Sequence, residues 1–63
     1  MSQMKNFCVW LAQCVYQYAM NDTEIVRACG LAVGDKAQAT YVKWLLAQIE
    51  TVRQHPEIYL LLL

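Results

Sequence analysis

The stretch that most constrains this chain is DKAQATYVKWLLAQIETVRQ, from Asp35 to Gln54, because its start, its apolar face and its stop are all written in residue types. Val42, Leu45, Ile49 and Val52 recur at spacings of 3, 4 and 3, the stripe of one helix face. Asp35 is a residue of the N-cap type, and Gln38 follows at the capping-box spacing, which satisfies two free backbone N–H groups. Tyr41, Trp44 and Leu46 flank the stripe and widen it, while Lys36, Thr40, Lys43, Glu50 and Gln54 fall on the far side and face water. Pro56 disfavours helical geometry at His55. A helix over residues 36–54 follows.

The N-terminal third reads as a second long helix, over residues 4–20. Met4, Phe7, Cys8, Leu11, Cys14, Val15 and Tyr18 keep helical spacing, with Ser2 ahead of them as a cap. A parallel row of Val9, Ala12, Tyr16 and Met20 runs beside them. Gln3, Asn6, Trp10, Gln13 and Gln17 complete the circumference, polar but uncharged. A helix that is apolar nearly all round is buried on more than one side. In so short a chain the second side is expected to meet another molecule.

Between the two, Asn21 with Glu24, or Asp22 alone, can cap a new helix, and Asp22 and Glu24 suit the positive end of its dipole. This predicts a short helix over residues 23–29 that buries Ile25, Val26 and Cys29, with Gly30 as its left-handed stop. The linker Leu31-Ala32-Val33-Gly34 is apolar and is expected to pack inward. After Pro56, a first-position helix residue, the tail 56–63 ends in IYLLLL. Such a run is an aggregation hazard if free. It is expected to fold back on the first helix or across a partner, helical or extended, with Ile58 and Leu61 packed inward.

Composition turns these elements into a fold class. At 63 residues the chain is a single domain, 1–63. A domain of this size buries only about 60% of its extended surface. Apolar residues make up 59% and charged residues 16%, against roughly 45–50% and 25% in ordinary globular domains. Two glycines and one proline leave little room for strands and turns. The expectation is an all-α fold: a small bundle of two long helices and a short one, completed by homodimerisation. Phe7, Leu11, Val15, Tyr18, Val42, Leu45, Ile49 and Val52 are its expected core or dimer positions.

Several function classes are disfavoured. Net charge is zero, so no strong field draws in nucleic acid or acidic lipid. Cys8, Cys14 and Cys29 make no CxxC pair and lie far from the single His55, so no zinc set, cofactor or disulfide framework is expected. Reduced cysteines suit a cytosolic compartment. Lys5 before FCVWLA makes a poor signal peptide, because Gln13 and Gln17 interrupt the apolar run and no small-residue cleavage site follows. The apolar runs are also too short to span a bilayer. His55 lacks a neighbouring nucleophile or paired carboxylate, and no phosphate loop or Ser/His/Asp set occurs, so enzymatic activity is not expected. The seven aromatic residues read as core and interface, since a base-stacking platform needs a basic groove. Glu50 and Arg53 have the spacing of an exposed helix pair.

EIVRACGL, Glu24 to Leu31, resembles the first helix and turn of a helix-turn-helix, with Val26, Gly30 and Leu31 in register. Lys36 then occupies an expected apolar position, and KAQATYVK offers two lysines and no arginine to read base edges. Over its full length the chain resembles the short early proteins encoded in the exo–xis interval of lambdoid bacteriophages. The resemblance rests on the 63-residue length, the opening MSQMKNFCVWLAQCVYQY and the cysteine- and tryptophan-bearing helices around NDTEIVRACG. It implies an all-helical accessory protein made early after induction, which acts in the host cytoplasm on host growth, replication or the lysis–lysogeny choice. It transfers no catalytic or binding motif. The expected activity is protein–protein contact, through Trp10, Gln13 and Gln17 on the first helix and Lys43, Ala47 and Glu50 on the third. Partners are a second copy of the chain and a host or phage protein. Alternatives are a dimeric helix-turn-helix-like DNA-binding regulator and a small membrane-active phage peptide.

Overall fold

The computed structural model describes the backbone from Gln3 to Leu63 and the side chains from Asn6 onward; the cap expected at Ser2 and the packing expected of Met4 lie outside the described residues. Helix α1 spans Gln3–Ala12 and runs on as a π-helical turn, Gln13–Gln17. Helix α2 spans Asp22–Ala28. A 3₁₀ turn, Lys36–Gln38, leads into α3, Ala39–Gln54. Helix α4, Pro56–Tyr59, tightens into a last 3₁₀ turn, Leu60–Leu62. No strand occurs among the described residues, and the fold is all-α.

Helix α3 is the hub: α1, its π turn, α2 and α4 all pack on it. Its stripe of Val42, Leu45, Ile49 and Val52 is buried, as the spacing requires. Leu11, Ala12 and Cys14 meet it from α1 and the π turn, and Ile25 and Val26 from α2. No polar or charged residue is buried among the described residues, so the core is held by apolar burial alone. Each fully enclosed Leu, Ile or Val contributes roughly 1.5–3 kcal/mol. Phe7, Trp10, Val15, Tyr16, Met20, Leu31 and Tyr59 pack around this centre, partly buried.

The first helix departs from its expected 4–20 span. The π turn winds wider than an α-helix, so successive residues rotate less around the axis. The Tyr18 N–H donates to the Gln13 carbonyl at 2.8 Å and the Met20 N–H to the Cys14 carbonyl at 2.9 Å. Ala19 reverses the chain at φ 52°, a left-handed conformation that costs a residue with a Cβ about 1–2 kcal/mol. The lag in rotation aims Tyr16 at α3, where its hydroxyl donates to the Val52 carbonyl. Tyr18, expected on the core or dimer stripe, is thereby carried outward and is 62% exposed in the single chain.

The start and stop of α2 follow the sequence closely. Asn21 and Glu24 form a reciprocal capping box, each side chain accepting the other's backbone N–H at 2.9 Å. At the far end the Gly30 N–H reaches the Arg27 carbonyl and the Leu31 N–H the Val26 carbonyl, with Gly30 at φ 78°. This is the Schellman arrangement, and Leu31 packs against the core as that motif favours. Cys29, expected inside, is exposed; it keeps the angular position of Ile25 and Val26 but is the C-cap residue, at the very end of the helix. Of the apolar linker only Leu31 turns inward; Ala32 and Val33 face solvent.

At Asp35 the capping box does not form. The Asp35 carboxylate accepts from the Ala37 N–H at 2.9 Å, which starts the 3₁₀ turn. Gln38 reaches away and accepts from the Ala32 N–H at 2.8 Å, so it pins the linker rather than the cap. The helix pair expected between Glu50 and Arg53 is also replaced. Arg53 forms a close ion pair with Asp22 and donates to the Met20 carbonyl at 3.2 Å, joining the end of α3 to the start of α2. Glu50 accepts from Gln54 at 2.7 Å.

The tail is helical. Pro56 occupies the first turn of α4, and the segment lies against α1 and α3. One further side of α1 is thus met by the chain's own C-terminus. Tyr59 and Leu62 are its inward residues; Ile58 and Leu61, expected in the core, point out. All of 58–63 is apolar, so hydrophobicity could not select the inward pair. The turn at Pro56 sets the phase instead.

Candidate interaction surface

Trp10, placed by sequence on a polar stripe, is half-buried and packs against the core. Phe7 draws it in. Their ring centroids lie 6.2 Å apart, and Phe7 also stacks on Trp44 of α3 at 5.5 Å with 27° between the planes. Offset contacts of this kind add about 0.5–1.5 kcal/mol beyond burial. Gln13 is half-buried and Gln17 exposed. On α3, Lys43, Ala47 and Glu50 are all exposed. At 100° per residue they centre about 150° from the buried stripe, and so point away from α1. The three residues expected on α3 thus share one exposed face, while Trp10 is partly withdrawn into the core.

Sequence spacing misplaced the flank of α3. Tyr41 and Trp44, expected to widen the buried stripe, are 66% and 46% exposed, and Leu46 on the other flank is exposed as well. Thr40, Tyr41 and Trp44 line an open hollow of about 400 Å³. Ile58, Leu60, Leu61 and Leu63 add apolar surface on the outside of the tail. The signal was present in the angles: Tyr41 and Trp44 sit roughly 60° and 120° off the stripe centre. In a chain this small, positions so far round are covered only in part, Trp44 by Phe7.

Burial pushes the Cys14 thiol above its ordinary pKa, and the nearby Cys29 adds to the shift. A protonated thiol is a poor nucleophile. His55 Nδ1 lies 3.2 Å from Glu57 Oε1 at the break between α3 and α4. The Glu57 carboxyl is held below its ordinary value, first by its own backbone N–H and then by His55. Among the described residues no three His, Cys, Asp or Glu side chains cluster as a metal site needs, and no helix is long and apolar enough to cross a membrane. Residues 29–35, seven in all, separate α2 from the 3₁₀ turn before α3, where a helix-turn-helix uses a turn of three or four. Comparison with protein-family models, with curated proteins and with solved structures finds no match to this chain.

Proposed function

We propose that the chain is a non-enzymatic accessory protein that works by protein–protein contact. It pairs with a second copy of itself through the Tyr41–Trp44 flank and the outside of the tail, completing a bundle of two long helices and a short one. The pair engages a host or phage protein in the bacterial cytoplasm. In this reading the chain is one of the early lambdoid phage proteins it resembles, and acts on host growth, replication or the lysis–lysogeny choice. The observation that carries the reading is the exposure of Tyr41, Trp44, Ile58, Leu60, Leu61 and Leu63, each by at least 46%. Large apolar surface of this kind marks interaction sites on soluble proteins. Charge favours a protein partner over a duplex. Net charge is zero, Arg53 is engaged by Asp22, and Glu50 shares the α3 face with Lys43.

A pull-down from bacterial lysate with the intact protein tests the reading, run beside Tyr41→Asp and Lys43→Glu at exposed positions. One protein retained by the wild type and lost with a variant that keeps its helical circular dichroism supports it. A mobility-shift assay with random duplexes at about 150 mM salt supplies the opposing outcome. Enrichment of one DNA sequence, abolished by Lys36→Ala or Lys43→Ala, would replace protein contact with DNA recognition. Recovery of the protein in the membrane fraction would replace it with membrane activity.

A further inference from the structure

We draw no further inference here: the strongest candidate, the open apolar hollow beside Tyr41 and Trp44 on α3, belongs to the surface already proposed for pairing, and nothing in the structure shows what else covers it.

Discussion

Tyr16 and Tyr18 show how a single residue's role depends on winding. Both lie on apolar rows of an ideal helix, yet Tyr16 reaches the Val52 carbonyl and Tyr18 faces water. Leu45 has no such ambiguity, being 1% exposed at the centre of the α3 stripe. Leu45→Ala should cost about 2–5 kcal/mol, whereas Tyr18→Ala should stay within about 0.5 kcal/mol in the isolated subunit. Urea titrations below the association range compare the two, and equal losses would mean that Tyr18 packs in the core after all. Ala19 is the opposite kind of residue, held in a conformation its side chain resists. Ala19→Gly should raise stability by up to about 1 kcal/mol, relief of the left-handed strain being offset in part by the greater freedom of glycine when unfolded. A lower melting temperature for that variant would show that the reversal at residue 19 is not left-handed in solution.

Among the elements, the tail is the one whose removal says most. It lies on both α1 and α3, and Tyr59 reaches the core. Deleting residues 57–63 should lower the melting temperature markedly, because Tyr59 and Leu62 leave apolar surface of α1 and α3 uncovered. It should also remove Ile58, Leu60, Leu61 and Leu63 from the outer surface, weakening self-association. Thermal melts followed by circular dichroism, with light scattering alongside, read the two effects separately. Unchanged melting would place the tail off the body of the protein. The end of α3 is fastened differently, by Arg53 to Asp22 and to the Met20 carbonyl. Both side chains are at least a third accessible, so this tie is screened by solvent and adds little to stability.

As a whole the molecule is looser than its size requires. Its radius of gyration is 11.7 Å, where a compact chain of this length has about 10.6 Å. Its accessible surface is 4544 Å², against about 4,200 Å² for a monomer of the same mass. Most of its exposed large apolar side chains lie on the α3 flank and the tail, with Tyr18 and Val33 elsewhere. A stable interface takes about 800 Å² from each partner, and the proposed pairing would draw it from that surface. Sedimentation equilibrium at micromolar concentration should therefore report a dimer or larger. A folded 7.3 kDa monomer across that range would sink the pairing.

What the sequence determined by itself is local. The Val42–Val52 stripe, the Asn21–Glu24 box, the Gly30 stop and the break before Pro56 each depend on residues within a few turns of one another, and each formed where the spacing put it. The all-α class came from the same signals and the scarcity of turn residues. Tertiary structure decided every case in which local chemistry offered two equivalent partners. Gln38 had Asp35 within reach and took Ala32; Arg53 had Glu50 and took Asp22. An all-apolar tail turned Tyr59 and Leu62 inward, and an all-apolar helix widened at Gln13–Gln17 to bring Tyr16 to α3. Periodicity assumes one winding and one buried side. In a helix apolar on nearly every side, the positions of the neighbouring elements set both.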